Sequence, residues 1–263
     1  MTDLVAVMTV ESVERLTPRM TRVTFTGEGL SSLARWPDQQ LKLLFPPPNR
    51  DLVLPQTRAE GDGMSWYQAY LSMPQEDRPI MRSFTVRTLD DGRLTVDFVL
   101  HNHGGPATQW ATTAHPGDTL ARYGPAEAYR QHLNLNADWL LLAGDETALP
   151  AIGSLLPLPN ATVLVEVEDA AEEQPLPGVT WLHRNTAAKL TTAVADLPLP
   201  KGNGFAWLAG EATMVRTLRR TLIAKGVPKT AINFTGYWRK HLSQDDAPTE
   251  ADMTDIQERL ANT

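Results

Sequence analysis

Polar and apolar positions alternate in short runs through the first half of the chain and change habit in the second. Between Leu4 and Tyr129, "MTRVTFTG" (Met20 to Gly27), "LKLLFPPP" from Leu41, "MRSFTVRTL" from Met81 and "LTVDFVLH" from Leu94 each read as a short strand. Asp90-Asp91-Gly92 between two of them reads as a hairpin turn. Many short strands with turn signals predict a closed antiparallel β-barrel. The polar, Pro- and Gly-punctuated stretch from Asn49 to Tyr67 reads as a long surface loop.

After Asn134 the apolar runs become continuous: "WLLLAG" from Trp139, "ATVLVEVED" from Ala161, "VTWLHR" from Val179 and "FAWLAG" from Phe205. Between them, residues 186–195 and 211–225 carry helical spacing, with Val215, Leu218 and Leu222 on one face and Gly226 as a stop. Buried strands alternating with helices predict a parallel sheet with crossovers. The expected architecture is therefore β followed by α/β. An antiparallel β-barrel spans 1–134. A parallel α/β domain spans 135–263 and ends in an acidic tail with a last helix near 252–260. Two such domains offer a cleft, where flat cofactors commonly sit.

The composition narrows the chemistry. With 263 residues, 42% of them apolar, the chain can build two modest cores. A net charge of -7 gives no electrostatic footprint for nucleic acid. The absence of cysteine excludes disulfides, cysteine-ligated zinc and protein-held iron–sulfur clusters. No signal peptide and no membrane span is legible, so a cytoplasmic location is the expectation, and nothing in the sequence demands more than a monomer.

"MRSFTVRTLDDGRLTVDFVLHNHGGPATQWA" concentrates the candidate chemistry. Arg82 and Arg87 suit a pyrophosphate, because guanidinium pairs with phosphate oxygens. Alternation puts Arg82, Phe84 and Val86 on one strand face and Ser83, Thr85 and Arg87 on the other; an ordinary barrel strand would show the same pattern. Gly105-Pro106-Ala107-Thr108 reads as a helix start, whose free N–H groups favour an anion. His101, His103 and His115 lack a convincing acidic partner, so no metal site is expected. In the second half, "AGDETALPAI" places Asp145, Glu146 and Thr147 at a strand end, without a Gly-x-Gly-x-x-Gly fingerprint. That absence argues against an ordinary dinucleotide-binding domain, and the two acids argue against phosphate cradling at that turn. Arg216, Arg219 and Arg220 share one side of a helix, which suits either a solvated face or the extra phosphate of NADPH.

Four stretches together, "RSFTVR", "DFVLHNHGGPATQWA", "LLAGDETALPAI" and "WLAGEATMVRTLRRTL" with "GYWR", resemble the siderophore-interacting proteins, flavin-dependent ferric-siderophore reductases related to ferredoxin–NADP reductases. The resemblance implies FAD bound by the first domain through Arg82, Ser83, Phe84, Thr85, Arg87, Asp97, Val99, Leu100, His101, Gly105, Pro106, Ala107 and Thr108. Phe84 stands where the family usually has tyrosine. NADPH or NADH would meet Asp145, Thr147, Ala148, Glu211 and Arg216, with a ferredoxin as another donor, and Tyr237 or Trp238 would shield the flavin ring. Lys42, Arg130 and Arg239 would receive a bulky anionic ferric siderophore. No side chain is expected to act as catalyst, since the flavin converts a hydride into single electrons. The alternatives are a related flavin reductase with another acceptor, and a non-catalytic siderophore- or flavin-binding protein.

Overall fold

The computed structural model describes residues 4–55, 63–101, 105–125, 130, 133–240, 242 and 246–261. The chain divides into two units, 1–131 and 132–263.

Unit one is an antiparallel sheet of seven strands: β1 (Val5–Thr17), β2 (Met20–Thr26), β3 (Gln40–Phe45), β4 (Ile80–Thr85), β5 (Thr88–Asp90), β6 (Arg93–Val99) and β7 (Thr119–Tyr123). Their spatial order is β4-β3-β7-β1-β2-β6-β5. The two outermost strands are consecutive in the chain, joined only by Val86 and Arg87, so the sheet has to curl. At the join the Val86 N–H donates to Gln39 O and the Arg87 N–H to Thr95 O, both at 2.8 Å. Alternate residues such as Val23, Phe25, Leu43, Leu94, Val96 and Phe98 turn inward and fill one core. The β5–β6 hairpin turns at Asp91 (φ 49°) and Gly92 (φ 75°), where a glycine accepts the left-handed backbone without strain.

Among the described residues this unit also has two short α-helices. α2 (Pro106–Thr113) adds Trp110 to the core, its ring centroid 5.8 Å from that of Phe45 and 5.7 Å from that of Phe98. The other corrects the sequence reading. Residues 63–72, inside and beyond the expected surface loop, form helix α1 (Gly63–Ser72). Trp66 explains it: the indole is buried on Leu44 and Ala121 and lies 4.9 Å from Tyr123 and 5.6 Å from Tyr70. Proline and glycine punctuation marks the approach to this helix, while its anchoring face is aromatic and easily missed by a period count. Residues 56–62 of the same stretch lie outside the described residues.

Unit two is a parallel sheet of β8 (Trp139–Asp145), β9 (Ala161–Val167), β10 (Val179–His183), β11 (Gly204–Glu211) and β12 (Ile232–Trp238), in the order β10-β9-β8-β11-β12. Helices α4 (Leu190–Asp196) and α5 (Ala212–Ala224) bring Leu190, Val194, Val215, Leu218 and Leu222 onto Leu141, Ala143, Ala206, Leu208 and Phe234. The intervening Leu140, Leu142, Val165 and Trp207 are equally buried, which is why these strands read as unbroken apolar runs. α4 starts later than its periodicity suggests. The Thr186 hydroxyl donates to His183 O and accepts from the Ala188 N–H, a local arrangement that competes with helix. α3 (Leu149–Leu155) follows β8, and the C-terminal α6 (Glu250–Ala261) appears where a last helix was expected.

Candidate cofactor and substrate sites

In unit one, β4 pairs with β3 so that Arg82 lies opposite Leu43, Ser83 opposite Lys42 and Phe84 opposite Leu41. Arg82 and Phe84 therefore share the inward face, and the Phe84 ring packs 4.6 Å from Phe98 and 6.1 Å from Phe45. β4 stops at Thr85, which is buried. Arg87 lies in the bend beyond it. Burial, and to a smaller degree the nearby Arg22, hold the Arg87 guanidinium below its ordinary range, against the pull of Asp97. Asp97 is itself buried on β6. Its two oxygens accept from Arg22 Nε and Nη2 at 2.7 and 2.8 Å, and Arg87 Nε lies 3.9 Å away. Arg22 was absent from the sequence reading, because its partner is 75 residues distant.

Helix α2 follows Gly105 at its N-cap, with Pro106 in its first turn and no side chain capping it. The first helical bond runs from the Gln109 N–H to Gly105 O, so the Ala107 and Thr108 N–H groups precede it. The Thr108 hydroxyl donates to Val99 O at 3.3 Å, tying the helix start to the end of β6. Val99 and Leu100 are half-buried and His101 is exposed. Residues 102–104, His103 among them, lie outside the described residues. Among the described residues no group of three His, Cys, Asp or Glu could hold a metal ion.

This donor set fits an FAD. Two guanidinium groups and two uncapped N–H groups are the chemistry a pyrophosphate needs, and a side chain added at Gly105 would meet no atom within 4 Å, leaving room for close approach.

On the outward face, Lys42 Nζ donates to Ser83 Oγ at 2.6 Å and stands opposite Tyr123 in the sheet. Packing around the ammonium, and then the neighbouring Arg82, lower its pKa. Arg130 stands over the Trp36 ring at 5.9 Å.

In unit two the strand order is that of a doubly wound sheet, with its reversal point between β8 and β11. Ligands of such sheets bind outside the carboxyl ends of the strands at that point. The missing glycine fingerprint thus did not exclude the architecture, since a tight turn led by Asp145 stands in its place. The Asp145 carboxylate is buried and accepts four hydrogen bonds: from the Thr147 N–H (2.9 Å) and hydroxyl, the Glu211 N–H (2.8 Å) and Trp238 Nε1 (2.9 Å). It thereby fastens the ends of β8, β11 and β12 together. Burial, then the adjacent Glu146, push its pKa up to about 6, against the hydrogen bonds from the Thr147 hydroxyl, Trp238 and the Glu211 N–H. Gly210 makes room for it, with φ 138° and an implied Cβ position only 2.6 Å from Asp145 Oδ2. Ala148 is buried in the turn behind it, and Tyr237 is half-buried beside Trp238.

Glu146 is held by Arg184, which grips it with both terminal nitrogens and reaches Glu166 at 3.2 Å. Glu211 caps α5, accepting from the Met214 N–H at 2.8 Å. The arginine face of α5 is divided. Arg220 is exposed, whereas Arg216 and Arg219 are engaged by α6. Arg216 donates to Asp252 and Asp255, and Arg239 donates to the other oxygen of Asp252 at 3.0 Å. Burial opposes ionisation of Asp252, but Thr249, Arg239 and Arg216 outweigh it and hold its pKa at about 2.

A curled antiparallel sheet followed by a doubly wound parallel sheet, with guanidinium and N–H groups suited to a phosphate in the first, is the architecture of a two-domain flavin reductase. The profile of the siderophore-interacting FAD-binding domain matches residues 9–129, and that of the siderophore-interacting protein matches 137–241. The chain is 30% identical to the NADPH-dependent ferric-chelate reductase of Escherichia coli, over 88% of this chain and 91% of that protein. It is 30% identical to the ferric vibriobactin reductase ViuB of Vibrio cholerae, over 85% of each. The crystal structure of a siderophore utilization protein from T. fusca superposes with a TM-score of 0.75 at 36% identity, covering 92% of this chain and 95% of that one. The chain belongs to the siderophore-interacting protein family.

Proposed function

We propose that this protein is an FAD-dependent oxidoreductase that draws electrons from NADPH or NADH and reduces the iron of a ferric siderophore, so that iron is released as Fe(II). The donor set of unit one carries the reading: Arg82, Arg87 and the start of α2 supply only positive charge and N–H groups, as a dinucleotide pyrophosphate requires, and the FAD-binding profile spans them. FAD, when bound, supplies the conversion of a two-electron hydride into two single electrons, so one nicotinamide serves two ferric ions. The protein's part is to bind and orient. Arg82 and Arg87 neutralise phosphate, Ser83 and Thr85 offer hydroxyls along β4, and Asp97 and Arg22 together fix the charge around Arg87. In unit two, Asp145 holds Trp238 and the Glu211 N–H at the carboxyl ends of the strands, where the nicotinamide dinucleotide is received. Lys42 presents a cation beside Tyr123 for an anionic chelate. The reading includes a cytoplasmic monomer, for which a ferredoxin is the second candidate donor.

Anaerobic mixing of the flavin-loaded protein with NADPH tests the first half: the flavin absorbance bleaches, and adding a ferric siderophore restores it as a ferrous indicator develops colour. A flavin that stays oxidised under NADPH, NADH and reduced ferredoxin alike rules the reading out. Lys42→Ala raises the KM for a tris-catecholate ferric complex and leaves flavin reduction unchanged; an unaltered KM removes Lys42 from the docking site.

A further inference from the structure

Two of the three α5 arginines expected to face solvent or a cofactor phosphate, Arg216 and Arg219, are covered by the protein's own C-terminal helix, and so is Arg239. On α6, Asp252, Asp255 and Glu258 recur every three residues and meet Arg216, Arg219 and Arg239. Arg216 reaches Asp255 at 2.7 Å and Asp252 at 2.5 Å; Arg219 pairs with Glu258, which also lies 4.0 Å from Lys229. Little else holds the helix, since none of its described side chains is fully buried. A Thr249–Asp252 capping box, with the Thr249 N–H donating to Asp252 at 2.8 Å and the Asp252 N–H to Thr249 Oγ1 at 3.2 Å, makes it a self-contained helix with a charged face.

The fit is incomplete in one respect. Arg219 is buried, with its guanidinium 4.3 Å over the Phe234 ring, yet its Nε and Nη2 have no hydrogen-bond partner. A guanidinium offers five donors, and one carboxylate at Nη1 leaves these two unmet. A phosphate carries more acceptor oxygens and more charge than the carboxylate it would replace.

We propose that Arg216, Arg219 and Arg239 form a phosphate site and that α6 is an acidic strap filling it, displaced when a phosphate-bearing ligand arrives. The 2′-phosphate of NADPH and inorganic phosphate share the required chemistry. The NADPH arm rests on the function proposed above; displacement itself does not, so a protein unable to reduce ferric chelates still reports on the strap.

Hydrogen exchange on the full chain decides it. At matched ionic strength, NADP⁺ or inorganic phosphate raises amide exchange across 250–261 by about threefold or more, while NAD⁺ leaves it unchanged. A response to NADP⁺ well below the phosphate concentration needed identifies the dinucleotide as the ligand; equal responses identify a general phosphate site. In the double variant Asp252→Asn with Asp255→Asn, checked for folding by its melting curve, the KM for NADPH falls about three- to tenfold, as expected when two half-buried ion pairs stop competing, and the KM for NADH is unmoved. A helix indifferent to both NADP⁺ and phosphate, or a KM for NADPH no lower in the double variant, overturns the proposal.

Discussion

Replacing Asp145 by Asn separates the cost of a buried charge from the value of its hydrogen bonds. The side chain is 1% exposed by residue and its pKa rises from 3.8 to about 6, which corresponds to on the order of 3 kcal/mol. The sign follows from proton binding. The folded chain holds this proton more tightly than the unfolded chain, so stability declines as pH climbs from about 4 to about 6, then levels off. Asparagine keeps the shape and loses the titration, but presents an NH₂ where two donors now converge. The Thr147 hydroxyl can rotate to accept; the Thr147 N–H cannot, and loses its acceptor at a cost of about 1–3 kcal/mol. The variant is therefore less stable than the parent by about that amount near pH 4.5 and equal to it, or slightly more stable, above pH 7. Urea unfolding of both proteins at half-unit steps from pH 4.5 to 8 measures the difference, in which other titrating groups cancel. A difference that stays constant across this range refutes a perturbed, buried Asp145.

Three simpler tests address packing and pairing. Arg22→Ala leaves the Asp97 carboxylate buried with only Arg87 at 3.9 Å, and costs about 3–5 kcal/mol, visible as a melting point lower by roughly 10 °C or more. A loss under 2 °C contradicts the pairing. Trp66→Ala empties the α1 contact with Leu44 and Ala121 and lowers stability by about 3–5 kcal/mol in denaturant titration, whereas Tyr67→Ala, at an exposed position, changes it by less than about 1. Gly204→Ala puts a methyl group 1.9 Å from the Trp139 ring and prevents accumulation of soluble protein; normal expression with an unchanged melting curve contradicts that packing.

Much of the fold was legible, for identifiable reasons. Alternation exposed β2, β3, β4 and β6, because one face of each meets the core of unit one, and the unbroken runs exposed β8, β9 and β11, because both faces are covered. The turn at Asp91-Gly92 and the stop at Gly226 were legible because each needs a positive φ. The sites were legible in part. The residues of β4 and α2 stand within one stretch of the sequence, and Phe84 and Trp110 pack against one core. The partner of Asp97 was not legible, since β2 and β6 meet by a register that no local pattern encodes. Nor were the partners of Arg216 and Arg239. The spacing of arginines on α5 showed a shared face, and the spacing of acids on α6 showed another, but their meeting across 36 residues is a tertiary fact. Helix α1 escaped because its anchor is a stack of aromatic rings beneath a polar exterior.

The position of β7 has a consequence for biosynthesis. Without it the order β4-β3-β7-β1-β2-β6-β5 falls into a β3–β4 ribbon and a ribbon of β1, β2, β6 and β5, which meet only at the Val86-Arg87 bend between β4 and β5. A nascent chain emerging from the ribosome thus carries two ribbons hinged at a single bend until residue 123 clears the exit tunnel, and a polypeptide terminated shortly before Thr119 lacks the strand that closes one onto the other.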